Sequence, residues 1–400
     1  MGDSEQVEEK SDAAKIDSAD IDTTKREIAP GDEVLELLKN GQKGFEKLKG
    51  LIESAERTLR LYYYTFASDE SGQKVLDMLV EALDRGVAVS LIVDDFGSFE
   101  TDDAFFDPIR EHGGHFCEFQ PNVAQAYLLR NHQKIVIADE WRGMVGSFNI
   151  ADEHLVNDGE DAWRDIGVYI EGPAIERLTA YYDKLEDWTG SEERSKIRDL
   201  GHILEDANET EGTVRWIMGG PARNESPYVQ QIIDEMMHDD HVDMTMAYFA
   251  PSRRVLAAVR RVARDGRLRL IAAQKTDVKL SRSAAWHTYR KLLEAGAEIY
   301  EYKPCLLHTK LIVTDKAVFI GSGNFDVRSL YVNLEVMLRV ERKDFHDQVC
   351  EMFCDDLGDS QRIDMAVLKK ESNVFSRFYW RCAYILMAVV DRFLSHYFAR

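Results

Sequence analysis

The chain has no apolar run approaching the about 18 residues that a bilayer-spanning helix needs, so no transmembrane helix is expected. Residues 1–33 hold no apolar run of any kind, so no signal peptide is expected there. The opening MGDSEQ places Gln6 where N-myristoylation calls for Ser or Thr, which argues against that anchor. Cysteine is scarce, five in 400 residues, at positions 117, 305, 350, 354 and 382. So odd and scattered a set offers no disulfide framework and points to a reducing compartment. Cys350 and Cys354, one helical turn apart, are expected as small buried apolar residues rather than a redox or metal pair. Positive charge is also short: 50 Lys and Arg stand against 72 Asp and Glu, a net charge of −22. That sign argues against a general nucleic-acid binder, whose affinity comes from Lys and Arg on phosphates, while leaving room for a local basic pocket.

What is present is an ordinary globular composition, 44% hydrophobic and 30% charged, over a length that supports two or three domain-sized units. Residues 1–33 carry eleven acidic and four basic side chains, a net of 4 − 11 = −7, and read as an acidic disordered tail. After it the sequence repeats itself. VLDMLVEALDRGVAVSLIV (75–93) resembles VLAAVRRVARDGRLRLIAA (255–273), each an amphipathic helix, a glycine (Gly86, Gly266) and a short strand. REHGGHFCEFQP (110–121) mirrors LEAGAEIYEYKP (293–304), LRLYYYTF (59–66) matches VDMTMAYFAP (242–251), and WRDIGVYIEG (163–172) matches NLEVMLRVER (333–342). Each half reads strand, helix, strand, helix, strand, motif strand, turn, strand. That pattern predicts an α/β fold of two similar halves, each a mixed sheet flanked by helices, over 34–200 and 209–364. Like halves packed about a pseudo-two-fold axis bring equivalent elements together.

The two copies meeting there carry chemistry. NHQKIVIADEWRGMVGSFN (131–149) holds His132, Lys134, Asp139, Gly146, Ser147 and Asn149. LHTKLIVTDKAVFIGSGN (307–324) holds His308, Lys310, Asp315, Gly321, Ser322 and Asn324 in the same order. One neutral imidazole can attack phosphorus while a second, protonated, gives its proton to a leaving alcohol. Two lysines and two amides, with a Ser hydroxyl or backbone N–H, can hold the non-bridging oxygens as charge builds. Lysine supplies the positive charge, so no metal or other cofactor is called for. The His-X-Lys alternation puts both side chains on one strand face, and the glycines allow backbone close to a bound phosphate.

This paired H-X-K-X4-D with G-S-X-N resembles the phospholipase D superfamily over nearly all of 34–364. The resemblance implies one active site at the interface of the halves and a covalent phosphohistidine resolved by water or an alcohol. It implies a structural part for Asp139 and Asp315. It also implies a carboxylate for each imidazole from the following strand, Asp165 for His132 and Glu335 for His308. The tail GSGNFDVRSLYVNLE (321–335), with Arg328, Ser329, Asn333 and Glu335, is similar to bacterial cardiolipin synthases, here the shorter ones without N-terminal transmembrane helices. YFAPSRRVLAAVRR (248–261), WRD (163–165) and NIADEH (149–154) look like that subfamily too. The implied reaction moves a phosphatidyl group to the hydroxyl of a second lipid, with His132 as nucleophile and His308 as acid by analogy. The near-symmetry of the halves leaves those roles open at the level of residues. Motif one departs from the subfamily in having Gly146-Ser147 where Gly-Gly is frequent. A phospholipase D that hydrolyses its lipid shares every one of these residues. A superfamily nuclease and an inactive scaffold remain as rivals, opposed by the net charge and by the two intact motifs.

Lipid substrates require a membrane contact. Residues 365–400 read as a C-terminal amphipathic segment, and 374–400 place Arg377, Arg381, Asp391, Arg392 and Ser395 on one face. Phe375, Phe378, Trp380, Ile385, Met387 and Phe393 spread over the rest, as in a helix lying in a lipid interface, or in a closing helix packed on the second half. The expectation is a cytoplasmic enzyme peripheral to the inner membrane, with oligomeric state unassigned. HDDHVD (238–243) reads as a surface helix cap rather than a metal cluster. Arg164 can meet a lipid phosphate or pair with an acid.

Overall fold

The computed structural model of the chain describes residues 28–120, 129–156, 159–191, 197–221 and 226–390. Most of the expected acidic tail lies outside these residues, as do Asp391, Arg392, Phe393 and Ser395. Two mixed sheets form the framework. In the first, seven strands run Val34–Leu38, Gly167–Glu171, Arg142–Gly146, Ile135–Ala138, Thr58–Tyr63, Ala88–Asp94, His115–Phe119 across the sheet. In the second, Val214–Gly219, Glu335–Val340, Val318–Gly321, Lys310–Thr314, Val242–Met246, Leu268–Ala273 and Glu298–Tyr302 follow the same order. Pairings agree position by position: four antiparallel contacts, then two parallel ones. An eighth strand, Ser360–Ile363, adds antiparallel to the far edge of the second sheet. The edge strands Val34–Leu38 and Val214–Gly219 were not in the sequence reading: they hold equivalent places in the two sheets, but VLELL and VRWIMG share too little pattern to reveal it.

Local chemistry explains the elements. Asp69 caps helix Glu70–Asp84 by accepting from Gly72 N, and Ser252 caps helix Arg253–Val262 by accepting from Val255 N. The glycines that follow, Gly86 (φ +88°) and Gly266 (φ +76°), adopt the left-handed conformation that ends helices cheaply only without a Cβ. Asp139 and Glu140 have positive φ (54° and 61°) at the tip of the first motif hairpin. The Asp139 carboxylate holds that turn, accepting from Arg57 N at 2.8 Å, Thr58 N at 3.2 Å and Arg142 Nη2 at 2.7 Å. Asp315 does the equivalent in the second half, accepting from Asp240 N at 2.6 Å and His241 N at 3.1 Å.

The halves meet through backbone as well as side chains. Leu306 and Leu307 pair in parallel with Trp163 and Arg164, and Asn131 bridges Leu334 in the same sense. The largest apolar cluster joins both halves, Ile135 and Val168 with Leu311 and Val336 among them. Arg164 lies in this seam. Its guanidinium makes a two-pronged pair with Asp356 of helix Lys343–Gly358, at 2.9 and 3.0 Å, both side chains nearly buried. It is therefore an inter-half tie. The same helix corrects the cysteine expectation: it turns Val349, Met352 and Phe353 inward, leaving Cys354 exposed and Cys350 half-buried.

Helix Val374–Ile385 packs on helix Lys279–Leu293 of the second half, with Ala383 and Tyr384 buried. The Trp286 and Trp380 rings lie 5.1 Å apart, and the Tyr384 hydroxyl donates to Pro251 O at 2.9 Å. The other face leaves Phe375 and Phe378 largely exposed, at 86% and 70%. The packed face fits the closing-helix reading, and the exposed apolar face is open to a further contact. Among the described residues no helix is long and apolar enough to cross a membrane.

Replacing Arg164 by Ala leaves Asp356 buried without its partner. Chemical denaturation should show a loss of about 3–5 kcal/mol, and a loss under about 1 kcal/mol would contradict the tie.

Candidate active site

Each motif strand delivers its histidine just ahead of its first sheet pairing, at the seam between the halves. There the backbone crosses over. His132 N donates to Leu334 O at 2.9 Å, and His308 N donates to Arg164 O at 3.0 Å. Each acceptor is the residue immediately before a carboxylate of the opposite half. The consequence corrects the expected pairing. His132 Nδ1 meets Glu335 Oε2 at 3.1 Å, and His308 Nδ1 meets Asp165 Oδ1 at 2.7 Å. The carboxylates are exchanged between halves. With Nδ1 engaged in each ring, Nε2 is left as the reactive nitrogen.

The serines differ from expectation too. Ser147 Oγ donates to Asp165 Oδ1 and Ser322 Oγ to Glu335 Oε2, both at 2.5 Å. Each hydroxyl also receives the backbone N–H of the residue after its carboxylate, Ile166 or Val336, at 3.1 Å. They brace carboxylates and do not face a phosphate. Gly146 and Gly321 likewise serve the sheet. A Cβ at Gly146 would sit 2.6 Å from Ile166 O, and one at Gly321 would sit 2.1 Å from Val336 O. The neighbouring strand, not a ligand, requires glycine there.

Lys134 Nζ donates to His132 O at 2.6 Å and Lys310 Nζ to His308 O at 2.7 Å, so each lysine is anchored on its own motif. Both are buried, as are both histidines, both carboxylates, Asn149, Asn324 and Asn333. Asn324 Oδ1 and Asn333 Oδ1 have no partner among the described residues. Arg328 is half-buried on the short helix Val327–Tyr331, on the Tyr64 side of the site. Within HDDHVD, Asp243 pairs with Arg269 and Asp239 with Lys316.

Charge is balanced tightly. Burial, reinforced by Lys134 and Lys310 and opposed by Glu335, pushes His132 down to about 4. Burial and Lys310 push His308 well below its ordinary value against the pull of Asp165. Burial lowers Lys310 to about 8, with Asp165 and Glu335 resisting. Burial and Lys310 push Lys134 well below its ordinary value too, with Glu335, Asp165 and Asp94 resisting. With both lysines charged and one proton on the histidine pair, the two lysines, two histidines, Asp165 and Glu335 would together carry +1, the complement of a phosphodiester monoanion.

Some residues at the site were not legible as such. Tyr64 sets its ring edge-on to His132, centroids 4.9 Å apart, and lies under Lys134 Nζ at 5.2 Å. His154 places Nδ1 2.6 Å from Asp165 Oδ2, and Trp163 packs against both His154 and His308. His154, Asp165 and His308 offer three possible metal ligands close together. However, the 2.6–2.7 Å contacts are N–H···O hydrogen-bond lengths. Two ligands of one tetrahedral ion at about 2.0–2.2 Å would stand about 3.3–3.6 Å apart. The signal for His154 lay in comparing the repeats: five residues after Asn149 stands His154, while five after Asn324 stands Ser329.

Duplicated imidazoles, each oriented at Nδ1 by a carboxylate and flanked by a buried lysine, form one candidate site suited to transfer at a phosphodiester. The family described as cardiolipin synthase, PLD-like domain, matches residues 48–185 and 232–357, and the chain belongs to it. Cardiolipin synthase 1 of Bacillus anthracis is 32% identical over 353 residues, covering 84% of this chain and 69% of that protein. Cardiolipin synthase of Geobacillus kaustophilus is 33% identical over 341 residues, covering 82% and 67%. The fold is shared with a crystal structure of phosphatidylserine synthase from Haemophilus influenzae, at TM-score 0.70 and 12% identity over 90% of this chain and 94% of that one. The chain is thus an enzyme of the phospholipid phosphatidyltransferase class.

The depressed histidines have a consequence for stability. Between about pH 4, where folded His132 protonates, and about 6.5, the value in an unfolded chain, the unfolded state binds more protons. Stability therefore falls as pH falls through that window. The melting temperature should drop from pH 7 to pH 5, and His132→Asn should flatten that drop. An equal slope in wild type and variant would contradict the assignment.

Proposed function

We propose that this enzyme transfers a phosphatidyl group from phosphatidylglycerol to the hydroxyl of a second phosphatidylglycerol, forming cardiolipin and glycerol through a phosphohistidine. The observation that carries this is the crossed pair, His132 on Glu335 and His308 on Asp165. Each Nε2 is left reactive in a site whose charge complements a phosphodiester. In the first step His132 Nε2 attacks phosphorus, the bond to the glycerol oxygen breaks, and His308 gives that oxygen its proton. In the second step His308 takes the proton of the incoming hydroxyl, whose oxygen displaces His132 from phosphorus. Glu335 and Asp165 stabilise the two imidazolium states. Lys134, Lys310, Asn324, Asn333 and Arg328 hold the phosphate and head groups, and Asp139 and Asp315 keep the motif hairpins in place.

The enzyme reaches its substrate as a peripheral protein on the membrane face. The exposed side of helix Val374–Ile385 presents Phe375 and Phe378 together with Arg377 and Arg381. Inserting each phenyl ring into the interface stabilises binding by about 1.5–3 kcal/mol. Repulsion from the net charge of −22 is screened beyond about 8–10 Å.

Purified protein incubated with phosphatidylglycerol vesicles in EDTA should yield cardiolipin and glycerol by mass spectrometry, since lysines rather than a metal supply the positive charge. Phosphatidic acid alone would make it a hydrolase instead, and no lipid turnover would reject the reading. His132→Ala and His308→Ala should each lower the rate by at least about 10²-fold.

The double variant Phe375→Ser/Phe378→Ser should keep the wild-type melting temperature yet bind liposomes at least about tenfold more weakly in co-sedimentation. Unchanged sedimentation would remove this helix from the membrane contact.

A further inference from the structure

The two halves share their backbone plan, yet their carboxylates are not equivalently loaded. Glu335 Oε2 accepts from His132 and Ser322, and Glu335 Oε1 is buried without a partner among the described residues. Asp165 is fully engaged. Oδ1 accepts from His308 at 2.7 Å and Ser147 at 2.5 Å, and Oδ2 accepts from His154 at 2.6 Å. His154 is held for this purpose. The Asn149 amide meets its Nε2 at 3.0 Å, which leaves the Nδ1–H for Asp165. Trp163 covers the ring at 4.4 Å, and the side chain is buried.

We propose that His154 is a positioning residue that, by sharing Asp165, makes the His308 imidazolium the stronger acid of the histidine pair. This rests on the two-histidine transfer described above and adds what divides the labour between the histidines. A carboxylate already donated to by one imidazole and one hydroxyl stabilises a second imidazolium less than an undivided one. The His154 and His308 ring centroids are 4.9 Å apart, so charge on one disfavours charge on the other. The other charged groups act in a known sense. Lys310 also disfavours the His308 proton, and Lys310 is itself held by Asp165, Glu335, Asp277 and Asp326. Lys134 and the Cys305 thiol face Asp165 as well. The shorter His308 contact, 2.7 against 3.1 Å for His132, works in the opposite direction. Three donors on Asp165 against two on Glu335 outweigh it. In the singly protonated pair the proton then rests mainly on His132, and the minor form with His132 neutral and His308 protonated is the one that reacts, its stronger acid protonating the departing glycerol oxygen as the His132–phosphorus bond forms.

The test has two arms. Histidine-selective NMR titration of the resting protein reads the pair without any substrate. Wild-type His308 should lose its proton at lower pH than His132. In His154→Phe its titration should rise by about half to one pH unit, and His154→Asn, which restores a donor, should return it toward wild type. A His308 titration unmoved in a folded His154→Phe would overturn the proposal. With phosphatidylglycerol as donor, His154→Phe should raise the acidic limb of the kcat–pH profile by the same half to one pH unit, with little change in KM. With phosphatidyl-p-nitrophenol, whose leaving group needs no proton, that limb should stay in place. A uniform loss with both donors and no shift of either limb would show a merely structural role. Absence of lipid turnover by wild type would instead reject the lipid reading, with the titration still deciding the place of His154.

Discussion

The site depends on two backbone hydrogen bonds that cross the pseudo-two-fold seam, His132 N to Leu334 O and His308 N to Arg164 O. Each contributes only about 0.5–1.5 kcal/mol on its own. Their importance is positional. Because the acceptor immediately precedes a carboxylate, the bond places Glu335 beside His132 and Asp165 beside His308. Neither half holds a complete site. Each supplies a nucleophile-type ring with its lysine, and a serine-braced carboxylate for the ring of the other half. Arg164 shows how closely seam and site are joined: its carbonyl accepts from His308, its guanidinium pairs with Asp356, and its chain neighbour is Asp165.

Electrostatics makes that seam reactive. Seven buried ionisable groups, His154 among them, share a small volume, and burial alone would neutralise most of them. Burial raises Asp165, yet His308 and His154 outweigh it and hold the carboxyl well below its usual range. Burial raises Glu335 too, and His132 with Lys134 reverses the shift. The carboxylates stay ionised because imidazoles and lysines surround them, and the lysines stay near the site because the carboxylates resist their loss of charge. A monoanionic phosphodiester completes the balance.

Much of the fold was legible because the chain carries it twice. The amphipathic helices ended by Gly86 and Gly266, the parallel strands after them and the motif hairpins each had a second copy, which separated signal from coincidence. The edge strands Val34–Leu38 and Val214–Gly219 were missed because an edge strand is defined by the neighbour it pairs with. The histidines, lysines and both carboxylates were legible by type and order. The partner of each carboxylate was not, since sequence proximity favoured the histidine of the same half. The serines and glycines were misplaced for a related reason: a Ser hydroxyl committed to a buried carboxylate and a Gly pressed by the next strand look, in a string, like phosphate-binding residues.

By itself the sequence determined the two-fold plan, the presence of two imidazole–lysine pairs and the lack of any apolar run of span length. These follow from periodicity, residue type and repetition, which are local or self-comparative properties. Only tertiary structure decided which carboxylate serves which histidine, that Arg164 ties the halves, and that one face of helix Val374–Ile385 is buried while the other is exposed. Only it brought His154 onto Asp165, while Glu335 Oε1 has no partner among the described residues. Those outcomes depend on contacts between residues up to about two hundred positions apart, His132 to Glu335 being 203. Such contacts are set by the register of two packed sheets, which no local pattern encodes.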